Sequence, residues 1–185
     1  METQQLKTPG GARLAWATTA GAPRREIARG LLRGLLAPDF GDIAFTQACA
    51  VCGSREHGPL RVIASTRERI PRVSVSYAAG VAVVALAPIG VAEFGIDAEA
   101  DSPRTRAAIA ESLPDCPDSS IRAWTALESV AKAKGTGLRG DWQRADTAGY
   151  DLEYVTLPTV PDAPETDSWP IVVALCARWT VATRR

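Results

Sequence analysis

Phe94-Gly95-Ile96-Asp97-Ala98-Glu99 is the stretch whose reading decides the rest. Apolar Phe94 and Ile96 alternate with the positions that lead to the acids, the period of a β-strand. Residues two apart on a strand share a face, so Asp97 and Glu99 are expected to present carboxylates side by side, roughly 7 Å apart at the backbone. A second stretch, Trp124-Thr125-Ala126-Leu127-Glu128-Ser129-Val130-Ala131-Lys132, reads as a helix. Its Glu128 and Lys132 are spaced i, i+4 and stack on one face. Read singly, an Asp-x-Glu at a strand end is a solvated edge, and an i, i+4 Glu/Lys pair is a surface ion pair worth roughly 0.3–0.5 kcal/mol. Read together, three carboxylates and a lysine could hold a divalent cation and a phosphate beside it. Mg²⁺ is bound in this way, by a few carboxylates plus the oxygens of a substrate phosphate.

A chain of 185 residues can bury a real core and makes one large domain or two small, closely packed ones. It is 46% apolar and 23% charged, values of ordinary globular proteins. It has no run of eighteen apolar residues and no basic segment leading into an apolar one at its start. A soluble, cytoplasmic protein with no membrane association is expected. The net charge of zero conceals an asymmetry: residues 1–92 sum to +5 and residues 93–185 to −5. A basic half facing an acidic half suits a polyanionic ligand on one side and a metal on the other, or simply helps two lobes dock. No basic cluster is interleaved with aromatics, so nucleic acid is not an expected partner. Cys49-x-x-Cys52 with His57 suggests part of a zinc site, but Cys116 and Cys176 lie far off without paired spacing, and no zinc is expected.

Along the chain, residues 1–11 are polar and expected to fray, and Arg13–Thr18 reads as the first strand. A helix is predicted over Arg25–Leu36, with arginines on its outer face and an end at Pro38-Asp39. Gly30 and Gly34 weaken it by roughly 1 kcal/mol each, which suggests close packing against a neighbouring backbone. Strands are predicted at Asp42–Gln47, Leu60–Ala64, Val73–Tyr77 and Val81–Ala87. Pro88-Ile89-Gly90 should then turn Val81–Ala87 back as a hairpin into the strand that ends at Glu99. Ser102-Pro103 starts a helix that runs to about Leu113; Asp118, Ser119 or Ser120 caps the next, which Gly135 closes. In that helix Ile121, Trp124, Leu127 and Ala131 form the apolar stripe, with Glu128 and Lys132 beside it. Tyr150–Leu157 and Pro170–Thr180 supply the last strands, the second apolar enough to be central. The class is α+β.

In order and spacing these motifs resemble the Sfp-type 4′-phosphopantetheinyl transferases. Those enzymes carry a Ser-x-Ser-His strand, a Gly-Ile/Val-Asp-x-Glu strand, and a Trp-x-x-(Lys)-Glu-Ala/Ser-x-x-Lys helix ending in Gly-x-Gly-Leu. Here the counterparts are Ser74-Val75-Ser76-Tyr77, Gly95 to Glu99, Trp124 to Lys132, and Gly135-Thr136-Gly137-Leu138. Cys49 to Pro59 is similar to the Cys-x-x-Cys-Gly…His-Gly-Lys-Pro stretch of actinobacterial members. The likeness runs from about Arg24 to Leu138, with the last strand added.

The resemblance implies a fold of two similar α/β halves related by a pseudo-twofold, here residues 1–87 (a shortened half) and 88–185, with coenzyme A in the cleft between them. It implies Mg²⁺-dependent transfer of the 4′-phosphopantetheine arm of coenzyme A to a serine of an acyl or peptidyl carrier protein in a biosynthetic pathway, releasing 3′,5′-ADP, by a monomer. On this likeness Asp97, Glu99 and Glu128 ligate Mg²⁺, Lys132 contacts the phosphates, and Glu128 is the base for the carrier serine. Ser76 touches the nucleotide phosphate, Arg29 matches an arginine of the family's first helix, and Arg24 and Arg25 are the candidates for the 3′-phosphate. The chain also departs from the pattern. Tyr77 replaces the histidine, the lysine before Pro59 is missing with Arg61 as a possible substitute, and the basic segment ahead of the first helix is absent. Charge-assisted contacts are worth roughly 1.5–3 kcal/mol each, so their loss raises the Michaelis constant unless it is made good. The alternative expectation is therefore a transferase-like protein that binds a carrier or biosynthetic partner without transfer; another diphosphate substrate ranks below both.

Overall fold

The computed structural model describes residues 3–20, 22–49, 52–55, 58–66, 69–114, 118–136, 147–158 and 169–180. The fold is mixed α+β, with the sheets antiparallel throughout. A four-stranded sheet has the order β1 (Gln4–Lys7), β2 (Arg13–Thr18), β6 (Val81–Leu86), β5 (Val73–Ala78). A three-stranded sheet has the order β7 (Val91–Ala100), β9 (Ile171–Trp179), β8 (Asp151–Leu157), and a separate hairpin pairs β3 (Ile43–Gln47) with β4 (Leu60–Ala64). Helix α1 (Arg24–Phe40) covers one sheet; α2 (Pro103–Ser112) and α3 (Ile121–Lys134) follow β7.

Two apolar cores set the layers. Alternate residues of β2 and β6 point to opposite faces, as a pleated strand requires. Leu14, Trp16, Val81, Val83 and Ala85 meet Phe94, Ile96, Ala98, Val173 and Leu175 of the three-stranded sheet. The other face, Ala15, Ala17, Ala82, Val84 and Leu86, receives Leu31, Leu32, Leu35 and Leu36 of α1, with the β3–β4 hairpin alongside. The layers thus run α1 with the hairpin, four-stranded sheet, three-stranded sheet, α3. Asp97 and Glu99 lie on the face of β7 opposite Phe94, Ile96 and Ala98, which is the face α3 covers.

Local signals place several boundaries. Ser102 caps α2 by accepting the Thr105 N–H, with Pro103 at the first helical position, and Ser120 caps α3 by accepting the Ala123 N–H. Gly135 ends α3 in the left-handed region, φ 72°, where glycine carries no Cβ penalty. The apolar stripe of α3 packs on α2: Ile121, Trp124 and Leu127 meet Ile109 and Leu113.

Four expectations are corrected. The polar N-terminal segment contains β1, paired with β2 from Gln4↔Trp16 to Lys7↔Arg13. Helix α1 continues through Pro38 to Phe40, whose buried ring joins the α1 core, and ends with the Gly41 N–H on the Ala37 carbonyl. Gly30 and Gly34 are exposed and have open space around them, so no neighbouring backbone calls for them. Finally, β6 and β7 do not form a hairpin. Strand β6 is already flanked by β2 and β5, so β7 has no edge there to join and pairs with β9 instead.

Among the described residues no helix is long and apolar enough to cross a membrane.

Candidate functional site

The site begins as a seam between two sheet edges. Strand β5 is the edge of one sheet and β7 the edge of the other. An edge strand presents N–H groups at alternate residues with no ladder partner. On β7 two of these belong to Ile96 and Ala98: Ser74 Oγ accepts from Ile96 N–H at 3.0 Å, and Ser76 Oγ accepts from Ala98 N–H at 3.2 Å. Ser-x-Ser on β5 has the same two-residue period as the outward N–H groups, so both hydroxyls reach. Each prevents a desolvated donor from going unmet, a cost of roughly 1–3 kcal/mol.

Between those two amides stands Asp97, 2% exposed. Its Oδ1 accepts from the Ser76 hydroxyl at 3.0 Å and from Lys132 Nζ at 2.6 Å, while its Oδ2 is buried without a hydrogen-bond partner. Lys132 Nζ also donates to Ser76 Oγ at 3.0 Å and lies 4.0 Å from Glu128 Oε2. Ser76 therefore spends its whole capacity here: its one O–H goes to Asp97, and its lone pairs take Ala98 N–H and Lys132.

Helix α3 can deliver Lys132 this closely because Gly95 has no side chain. A Cβ there would lie 2.8 Å from the Ala133 nitrogen and nearer still to the Ser129 carbonyl oxygen. The helix meets the strand with small residues. Thr125 and Ser129 are fully buried, and their hydroxyls fold back onto the Ile121 and Ala126 carbonyls at 2.9 and 2.8 Å. Glu128 and Lys132 flank this contact, one turn apart.

Electrostatics follow from three carboxylates sharing one ammonium. Burial pushes the Glu128 carboxyl up to about 8, and the Asp97 charge pushes the same way, against Lys132. Glu99 is also raised, first by burial and then by Asp97, while a side-chain hydrogen bond from Trp124 and the charge of Lys132 pull it down. Such a cluster has more negative charge than its lysine offsets. Among the described residues, no three His, Cys, Asp or Glu side chains converge tightly enough to hold a metal as they stand. Yet the buried, unpartnered Asp97 Oδ2 and two carboxyls with raised proton affinity fit a hard divalent cation, which would satisfy the first and lower the other two.

Of the residues singled out in the sequence, Ser76, Asp97, Glu99, Glu128 and Lys132 come together. Arg24, Arg25, Arg29 and Tyr77 form a second group on the opposite side of β5. Tyr77 packs against the α1 core with the Arg24 guanidinium 4.9 Å from its ring centroid. Burial raises its hydroxyl pKa, while the charges of Arg24, Arg25 and Arg29 oppose the rise. His57, Cys116, Gly137 and Leu138 lie outside the described residues; Cys49 is buried and Cys52 exposed at the start of their loop.

Next to the carboxylate cluster opens a cleft of about 620 Å³ lined by Arg61, Arg69, Arg72, Lys132 and Lys134, with Glu93 the one acid of its described lining. That acid is engaged: its carboxylate accepts from the Tyr150 hydroxyl and from the Arg178 guanidinium. The cleft is therefore strongly positive. Sequence reasoning passed over Arg69, Arg72 and Lys134; the available signal was the density of arginine in Arg61–Arg72.

Comparison of the chain with protein-family models and with curated proteins gives no match.

Proposed function

We propose that this protein is a short 4′-phosphopantetheinyl transferase, which moves the 4′-phosphopantetheine arm of coenzyme A to a serine of an acyl or peptidyl carrier protein and releases 3′,5′-ADP. One observation carries the reading: a buried aspartate with an unpartnered oxygen, held by Ser76 and by Lys132, the residue this cluster shares with the lining of a basic cleft. The layering supports the finer fold assignment of two halves, 1–87 and 88–185, since α1 covers the outer face of one sheet and α3 that of the other.

Asp97, Glu99 and Glu128 would hold Mg²⁺. When bound, the ion neutralises the pyrophosphate and stabilises the leaving nucleotide. Lys132, bonded to Asp97 and also among the residues that line the cleft, would offset charge on the phosphates. Glu128 would be the base for the serine hydroxyl: without a cation its carboxyl keeps its proton up to about 8, and a bound cation would lower that value so that the carboxylate is free to accept a proton near neutral pH. Arg61, Arg69 and Arg72 supply positive charge on the side of the cleft where the family's lysine is missing. Arg24, Arg25 and Arg29, with Tyr77, are the second candidate for the nucleotide's outer phosphate. The rest of the proposal is a cytoplasmic monomer that serves a dedicated carrier in a biosynthetic pathway.

The second reading is a transferase-like module that binds a carrier without transfer. It is favoured by Lys132 closing onto Asp97 and by Tyr77 standing for histidine. Incubation of several carrier proteins with coenzyme A and Mg²⁺ decides: a mass gain of about 340 Da, the transferred arm, supports transfer. Unmodified carriers, together with calorimetry that detects carrier binding but no coenzyme A binding, support the module.

A further inference from the structure

Lys132 serves two places with one charge. Its Nζ is 2.6 Å from Asp97 Oδ1 and 3.0 Å from Ser76 Oγ, yet the residue is also part of the lining of the basic cleft and its side chain is 33% exposed. A buried carboxylate without a counter-charge is costly, by several kcal/mol. Lys132 provides that counter-charge to one oxygen of Asp97, and the other oxygen is buried and unmet. The lysine head is a point charge on a flexible stem, with no fixed fork of donors, so it can leave Asp97 for the cleft without any backbone movement.

We infer that Lys132 is an exchangeable counter-ion: it neutralises Asp97 when no cation is bound, yields that place to a divalent cation, and then offers its ammonium to an anion in the cleft. The inference rests on the metal set of the reading above and adds a coupling to it. One ammonium cannot satisfy Asp97 and a cleft phosphate together. Occupation of Asp97 by a cation therefore favours anion binding, and by linkage a cleft anion favours the cation by the same factor. Lys134 provides the internal contrast. It lines the same cleft from the same helix, but its ammonium lies over the Tyr150 ring, 5.6 Å from the centroid.

The test is Mn²⁺ binding, followed by electron paramagnetic resonance without any anion, to wild type, Lys132→Met and Lys134→Met. The expected result is that Lys132→Met binds Mn²⁺ more tightly than wild type by roughly tenfold, an ordinary size for coupling between sites, with Lys134→Met little changed. In wild type, mass-spectrometric mapping of lysine acylation should show Lys132 labelled faster once Mn²⁺ is present and Lys134 labelled at an unchanged rate. This second measurement needs no variant and stands if Lys132→Met fails to fold. Equal Mn²⁺ affinity of wild type and Lys132→Met, or Lys132 labelling unmoved by bound Mn²⁺, overturns the exchange and leaves the metal set intact. No Mn²⁺ binding by any of the proteins overturns the exchange and the metal set together.

Discussion

Gly95 of β7 and Ser129 of α3 meet backbone to backbone: a methyl group on Gly95 would run into the Ser129 carbonyl oxygen and stand 2.8 Å from the Ala133 nitrogen. This approach sets the distance from the strand that carries Asp97 and Glu99 to the helix that carries Glu128 and Lys132. Gly95→Ala should therefore destabilise the protein by about 1–3 kcal/mol, since backbone rather than a flexible side chain has to give way. It should also weaken divalent-cation binding. Urea unfolding checks the first effect, and Mn²⁺ titration of the folded variant checks the second.

Gly30→Ala should do the reverse. The residue is helical, exposed and surrounded by open space, so the added methyl group meets nothing and only reduces the freedom of the unfolded chain. A gain of roughly 0.5–1 kcal/mol in unfolding free energy is expected from urea titration, with carrier modification unchanged. A loss of stability would show that the α1 surface is packed against something the chain uses.

Ser76→Ala and Ser74→Ala separate seam from site. Each leaves one β7 amide, of Ala98 or Ile96, without its acceptor, at about 1–3 kcal/mol. Only Ser76→Ala also removes a bond from Asp97 and from Lys132. A somewhat larger loss of stability and a much larger loss of cation affinity are expected in Ser76→Ala than in Ser74→Ala, measured by calorimetry.

Stability should fall with rising pH when no cation is present. Glu128 holds its proton up to about 8 when folded, against an ordinary value of 4.5. Between those values the folded chain binds a proton that the unfolded chain has released, so each step upward in pH favours unfolding. Glu99 acts in the same direction. Asp101, held low by its hydrogen bond with Arg106, works oppositely but only below its ordinary value of 3.8. Glu128→Gln should raise Tm at pH 8, leave it nearly unchanged at pH 4.5 and flatten the profile between, as followed by circular dichroism.

Thiol chemistry gives an independent check of the β9 core. Burial raises the Cys176 thiol to about 11, whereas Cys52 is exposed. Iodoacetamide at neutral pH should label Cys52 in the native protein and reach Cys176 only on unfolding, as read by peptide mapping. Native labelling of Cys176 would mean that β9 is not packed beneath α3 as described.

What the sequence determined by itself is whatever depends on neighbours along the chain. The alternating run at Arg13–Thr18, the continuous apolar run within Pro170–Thr180, the Ser102-Pro103 start of α2 and the Gly135 stop of α3 were legible because hydrophobic pattern, caps and left-handed turns are local. So was the grouping of acids and lysine by type and order. The tertiary structure alone decided which edges were free. That choice puts β7 beside β9 rather than β6, recruits polar Gln4–Lys7 as a strand, and turns Ser74 and Ser76 into the seam between two sheets. It also decided that Gly95, not Gly30 or Gly34, is the glycine demanded by packing, and that Arg61, Arg69 and Arg72 share a cleft with Lys132. Sheet edges, close backbone approaches and summed charge depend on residues far apart in the chain, and no short window of sequence contains both partners.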